Sequence, residues 1–306
     1  MYPREARTAM GAAFIRAAHM QIGQPPYVFE DYLADALFEA HERSDFREYF
    51  AGQYNSWCEQ PWFQSRADGL VDDPFIGYMR TSPLVPEILA RQAFAEGLLT
   101  DSETTTYRQY VILGAGLDTF AFRNPNAGLV VYEVDRAVVS IFKKGRASAI
   151  GNVKGRGPVY VPMTIEADDL GDRLLNAGLK RDMPTLVSCL GLTPYLQMGK
   201  LADMFSSVRG VLSEGSVVAY DYTMPEALFP LGGCPFTIEL AKRLDRLGDP
   251  LHLELDAEGN RILLARSGFR LLEHLAPIDI QARYFEGRKD GLSAASHVCL
   301  AAAMAV

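Results

Sequence analysis

The sequence predicts an α/β fold, a mostly parallel sheet with helices on both faces. Three observations predict it. From Tyr110 onward, short apolar runs alternate with helical or polar stretches, the rhythm of successive βαβ units. One run, Tyr110-Val111-Ile112-Leu113, stops at Gly114-Ala115-Gly116 and is followed by Asp118-Thr119, as a buried strand does when it ends in a tight turn against a ligand. About twenty residues further on, Val131-Tyr132-Glu133-Val134-Asp135 ends a second apolar run on an acid, completing the plan of a nucleotide-binding βαβ unit. A tight strand-to-helix turn with no ligand also accounts for the glycines taken alone.

The elements follow in chain order. Residues 5–20 read as an alanine-rich helix with Met10, Phe14 and Ile15 as apolar members, broken by Pro25-Pro26. Asp31 caps a further segment in which Leu33, Leu37 and Phe38 sit at helical spacing. Between Phe46 and Phe75 the chain is dense in aromatics, among them Phe50, Tyr54, Trp57, Trp62 and Phe63, which serve as core or as pocket wall. Pro83 and Pro86 introduce a helix over 88–99 carrying Arg91 and Glu96, and the polar run 100–106 divides a helical N-terminal cap, 1–106, from the α/β core, 107–306. Within a single domain spanning 1–306, strands are expected at 110–113, 129–134, 158–162, 185–189, 215–220, 269–275 and 296–303. Between strands five and six lies an insertion, about 224–256, with a helix carrying Ile238, Leu240, Leu244 and Leu247.

Composition narrows the function classes. Of 306 residues, 48% are hydrophobic and 22% charged, the balance of an ordinary globular protein with ample core. A net charge of −8 argues against nucleic acid and anionic membranes as partners. No apolar stretch reaches the roughly 20 residues of a membrane span, and Met1-Tyr2-Pro3-Arg4-Glu5 opens no secretory signal. Cys58, Cys189, Cys234 and Cys299 are widely separated, as free thiols in a reducing cytoplasm are. With no paired histidines either, no metal site is expected.

The glycine spacing discriminates among nucleotides. A dinucleotide turn needs a third glycine, where this chain has Thr119, and a phosphate-binding loop needs a Gly-Lys-Ser/Thr ending that is absent. A close-approach turn followed by Asp135, an acid able to accept from both ribose hydroxyls, suits S-adenosylmethionine, a nucleoside with no phosphate to neutralise.

Leu113-Gly114-Ala115-Gly116-Leu117-Asp118-Thr119, continued by Phe120-Ala121-Phe122-Arg123, resembles the leucine carboxyl methyltransferase family, and in particular its bacterial small-molecule branch. Arg7-Thr8-Ala9 with Arg16-Ala17, Phe29 to Ala34, Ala90 to Glu96, Glu133-Val134-Asp135, Leu190 to Leu196 and Gly268-Phe269 continue the resemblance in order. It implies a Rossmann-like class I methyltransferase sheet of about seven strands, S-adenosyl-L-methionine as cofactor, and O-methylation of a small molecule, a carboxylate or hydroxyl of a specialised metabolite. It also implies roles. Gly114 and Gly116 face the cofactor's methionine part and Asp135 its ribose, with Ala115, Asp118, Thr119, Glu133 and Leu190 also among the cofactor-binding positions. Arg91 pairs with the cofactor's carboxylate and Arg16 reaches it from the first helix, while Tyr195 lies near the reacting end. Thr164-Ile165 stand where many members carry an adenine-gripping Asp and an apolar residue.

Methyl transfer from a sulfonium is one displacement, so alignment supplies much of the catalysis, on the order of 7–11 kcal/mol. A carboxylate acceptor needs no base, whereas a hydroxyl benefits from one. His19, one turn from Arg16, is the nearest candidate. Two alternatives stay open: a protein C-terminal carboxylate as acceptor, disfavoured by Leu190 where protein-modifying members carry a glutamate, and a catalytically silent binding protein of the same fold. A homo-oligomer also stays open.

Overall fold

The computed structural model describes residues 2–64, 72–100, 107–150, 155–164, 169–246, 250–252 and 255–306. The N-terminal part is helical: α1 Arg7–Ile22, α2 Ala40–Cys58, α3 Pro61–Gln64, α4 Pro74–Thr81 and α5 Leu84–Thr100. The core then alternates as β1 Gln109–Leu113, α6 Phe120–Arg123, β2 Val130–Asp135, α7 Ala137–Ala147, β3 Val159–Pro162, α8 Leu170–Asn176, β4 Thr185–Cys189, α9 Met198–Arg209 and β5 Val217–Thr223. It closes with α10 Pro235–Arg246, α11 Ala257–Arg266, β6 Phe269–Leu275, α12 Pro277–Ile280 and β7 Val298–Ala305.

The seven strands form one sheet in the order β3-β2-β1-β4-β5-β7-β6. β1 to β5 run parallel, with Leu113 beside Val134 on one side and Cys189 on the other. β7 returns antiparallel to β5 and β6. The chain winds outward from β1 in both directions, so a crevice opens at the carboxyl ends of β1 and β4, where open α/β sheets bind ligands.

Strand alternation explains the two cores. Tyr110, Ile112, Val131, Leu186 and Ala219 face the N-terminal helices, whereas Val111, Leu113, Val134, Val187 and Tyr220 face α8, α9 and α11. β1 and β4 are buried along their whole length. Local chemistry sets the helix starts: Asp73, Asp169 and Asp256 each cap the helix that follows.

All seven expected strands are present within three residues of the expected bounds. The segment after Asp31 differs from the expected helical run, being only a 3-10 turn over Ala34–Leu37. Asp31 accepts from Leu33 N (3.3 Å) and Ala34 N (3.1 Å), yet its carboxylate mainly meets arginine. The helix expected over 88–99 begins earlier, at Leu84, because Pro86 sits in its first turn and forfeits no hydrogen bond there. Residues 101–106 of the expected boundary loop, and Leu247, lie outside the described residues.

Candidate functional site

The glycine turn after β1 is built by backbone. Gly114 and Gly116 have φ of +66° and +48°, a region open to glycine at little cost. Gly114 N and Ala115 N donate to Val134 O, locking the turn to β2. At the end of β2, Asp135 Oδ2 accepts from Gly116 N at 2.6 Å and Oδ1 from Arg136 N at 2.7 Å. The acid and the turn are thus neighbours, as the sequence spacing implies. A Cβ on Gly116 would stand 2.8 Å from Ala9 Cβ, and one on Gly114 3.6 Å from Leu192. Helix α1 therefore lies directly over the turn, and the loop after β4 lies beside it.

Beneath α1 runs a buried ionic network. Arg16 Nε donates to Asp31 Oδ2 (2.9 Å) and its Nη2 to Leu117 O (2.7 Å). The Thr119 hydroxyl donates to Asp31 Oδ1 and accepts from Arg123 Nε, whose other nitrogens grip Glu96. Burial alone would raise the Asp31 carboxyl, but Arg16, Arg123 and the Thr119 hydroxyl hold it below the usual carboxylate range. Arg16 and Thr119, expected at the cofactor, have these groups committed to bracing the turn from behind. Asp118 is also buried, and its Oδ1 accepts from Phe120 N at 2.7 Å. Glu133, two residues before Asp135 on β2, makes a fully buried pair with Lys143, with burial lifting its carboxyl to about 7 against the lysine's pull.

A cavity of about 700 Å³ opens beside the turn, over the ends of β4 and β5. Its floor includes Gly191, Tyr195 and Thr223, its α5 wall Glu87 and Arg91, and its roof residues of α1, α2 and α10. Arg91 lies flat on Gly191, where a Cβ would fall 2.5 Å from its Nη1. That nitrogen is 3.3 Å from Glu87 and 3.5 Å from Asp221, both long contacts, and the buried Arg91 Nε has no partner. Asp221 in turn accepts from Gly191 N at 2.6 Å. Burial lifts Glu87 to about 7, Arg91 opposing and Asp221 adding to the rise. An arginine with an unmet donor, seated on a positive-φ glycine at a strand end, fits the carboxylate of an amino-acid moiety.

The structure brings Arg91 and Tyr195 together in this cavity, with Gly114, Ala115, Gly116 and Asp135 in the adjoining turn. Leu190 is half-buried at the end of β4 and packs into the core facing the N-terminal helices. Thr164 is exposed past β3, and Ile165 lies outside the described residues. His19 does not line the cavity. It is buried edge-on to Tyr27, and burial followed by the nearby Arg288 lowers its pKa to about 4. The ring is thus enclosed away from the cavity, with its Nε2 buried and without a bonded partner among the described residues. Sequence reasoning missed His297, which lines the cavity just before β7 with Ser296 Oγ 2.8 Å from its Nδ1. Arg243 of α10 was missed as well. Neither belongs to a local pattern. Among the described residues no cluster suited to a metal ion occurs, and no helix is long and apolar enough to cross a membrane.

The sheet order, the glycine turn with its acid and the adjoining cavity define a nucleoside-binding α/β protein of the class I methyltransferase type. Among solved structures the fold resembles a "putative methyltransferase" from Thermobifida fusca YX (TM-score 0.54, 15% identity, 83% of this chain and 94% of that one). A DUF574 family protein from Streptomyces avermitilis MA-4680 is similar too (TM-score 0.50, 17% identity, 84% and 97%). A Bacillus subtilis (strain 168) protein named "Putative S-adenosyl-L-methionine-dependent methyltransferase YktD" is 32% identical over 294 residues, 94% of this chain and 93% of its own length. A Mycobacterium avium (strain 104) protein of the same description, without the name YktD, is 30% identical over 224 residues, 73% of this chain and 66% of its own. Residues 9–209 match the leucine carboxyl methyltransferase family. The chain belongs to that family; it is an S-adenosylmethionine-dependent methyltransferase.

Proposed function

We propose that this chain methylates an oxygen of a small molecule, a carboxylate first of all. The cavity carries this reading. Its volume, about 700 Å³, falls within the roughly 300–1,000 Å³ of small-molecule sites, and cap aromatics roof it above Arg91 and Tyr195. When bound, S-adenosylmethionine supplies an electrophilic methyl carbon on a sulfonium. The chain's own residues bind, orient and exclude water: the Gly114–Gly116 turn and Asp135 hold the nucleoside side, Arg91 the carboxylate, and Tyr195 orients the acceptor from the cavity floor. Arg91 at the carboxylate and Asp135 at the ribose are parts of this proposal.

Calorimetric titration with S-adenosylmethionine tests the cofactor half. Asp135→Ala removes a charged acceptor of two hydroxyl bonds, each worth about 1.5–3 kcal/mol, so affinity falls at least about tenfold. Unchanged binding in the variant would overturn the assignment. Incubation with methyl-labelled cofactor and cell extract tests the acceptor half: label should enter solvent-extractable material, and label in the protein fraction would refute a small-molecule acceptor. His297 favours a second reading, a hydroxyl acceptor whose proton the imidazole takes. That reading requires His297→Gln to lower kcat with a hydroxyl acceptor while leaving the affinity for S-adenosylmethionine unchanged.

A further inference from the structure

We infer that the acceptor is an elongated aromatic or flat apolar molecule carrying an anionic group, and that Arg243 is the residue that selects that group. The inference rests on the small-molecule reading above and adds the acceptor's chemistry to it.

Helix α10 lies along α2 in a defined register. At one end Phe236 meets Trp57 edge-on, with ring centroids 5.2 Å apart. Seven residues on, Arg243 Nη1 donates to Tyr49 Oη (3.0 Å) and Gln53 Oε1 (2.7 Å). Tyr49, Gln53 and Trp57 recur every fourth residue, so they form one face of α2. All five of these side chains line the cavity. Tyr78 stacks on Trp57 at 5.1 Å and packs on Phe50 at 4.5 Å, which extends the aromatic wall. The cap therefore presents a slot with π-faces at one end and a guanidinium at the other, about 10 Å apart by helix rise.

The guanidinium is half-buried and incompletely served. Both partners are neutral oxygens bonded to a single nitrogen, and among the described residues no acid lies within ion-pair distance. A guanidinium carries five N–H donors and is always charged, so an anion is its natural complement in a wall of low polarity. The cavity's charge agrees. Four arginines (Arg4, Arg7, Arg91, Arg243) and two acids (Asp45, Glu87) line it, in a chain of net charge −8. Glu87 and Asp221 face Arg91, and Arg4, Arg7 and Asp45 are all exposed, which leaves Arg243 as the half-buried cation of the lining that meets no acid among the described residues. The two bonds to Tyr49 and Gln53 hold the guanidinium in place on the cavity wall.

The test uses the full-length protein and named probes: benzoate, trans-cinnamate and 4-phenylbutyrate, each against its neutral amide, titrated by quenching of tryptophan fluorescence and by calorimetry. The wild type should bind at least one acid about tenfold or more tightly than its amide, as a charge-assisted hydrogen bond in a partly buried site requires. Arg243→Gln should erase that preference while leaving the amide's affinity within about twofold, and Arg243→Lys should keep part of it. A thermal melt of each variant establishes that it is folded. Equal binding of acid and amide by the wild type, no binding of any acid at millimolar concentration, or full acid preference in Arg243→Gln would overturn the inference. S-adenosylmethionine titrations on the same samples separate the two proposals. Cofactor binding without acid preference removes this inference and leaves the methyltransferase reading standing. Acid preference without cofactor binding removes methyl transfer and leaves the anion slot.

Discussion

Asp31→Asn probes the bracing network most directly, because the change is isosteric and touches one charge. The carboxylate neutralises Arg16 at 2.9 Å and Arg123 at 3.4 Å, and it accepts the Thr119 hydroxyl. Asparagine can keep the bonds from Leu33 N and Ala34 N, so part of the local geometry survives. Arg123 retains Glu96, whereas Arg16 keeps only Leu117 O among its bonded partners. Breaking a buried pair costs about 3–5 kcal/mol, and the surviving bonds place this variant near 3 kcal/mol. For a chain of this size, about 2 °C per kcal/mol translates that loss into a melting temperature roughly 6 °C lower. Scanning calorimetry and urea denaturation at pH 7 read it. The double variant Asp31→Asn/Thr119→Val should lose less than the two single losses added, by at least about 0.5 kcal/mol, since the hydroxyl's acceptor is already weakened. An Asp31→Asn protein that melts within about 1 °C of the wild type would show that the network contributes nothing at this scale.

Gly116→Ala should lower stability by about 1–2 kcal/mol from its φ of +48°. Contact with Ala9 should also weaken cofactor binding, while Gly52→Ala, which meets nothing within 4 Å, should leave binding unchanged when both are titrated side by side. Lys143→Met should show a pH-dependent defect. Glu133 ordinarily titrates at 4.5 and is lifted to about 7 in the fold, so the native state keeps a proton that the unfolded chain releases over that window, and stability falls as pH rises through it. Without the lysine the carboxyl stays protonated to higher pH, so the variant's deficit should be small at pH 5 and reach about 1.4 kcal/mol at pH 8, one unit above the wild-type value, by urea denaturation; an equal deficit at both values would refute the argument.

The sheet was legible because its signal is local. Tyr110 to Leu113 is an unbroken apolar run, and such a run ending at glycine has few structures open to it. Gly114, Gly116 and Asp135 were legible by spacing for the same reason. The strand order was not, since nothing near Val298 states that β7 inserts between β5 and β6. Nor could the sequence divide the arginines. Arg16 and Arg91 look alike on alanine-rich helices, yet only tertiary contact sets one against Asp31 and the other over Gly191. His297 and Arg243 reach the cavity from segments more than fifty residues apart in sequence, joined by the fold alone. Helix α11, Ala257–Arg266, likewise follows the insertion without a pattern that marks it.

The bonds that tie α1 to the glycine turn have a timing consequence. Arg16 and Leu117 are 101 residues apart, and Asp31 and Thr119 are 88 apart. On a ribosome adding about 5–20 residues per second, the first helices wait on the order of 5–20 s before the turn they brace has been made. During that interval Asp31 has Arg16 and its own local amides, Leu33 N and Ala34 N, as the partners already made. The helix over the glycine turn is therefore translated first, but its contacts can be completed only after β1 has been made.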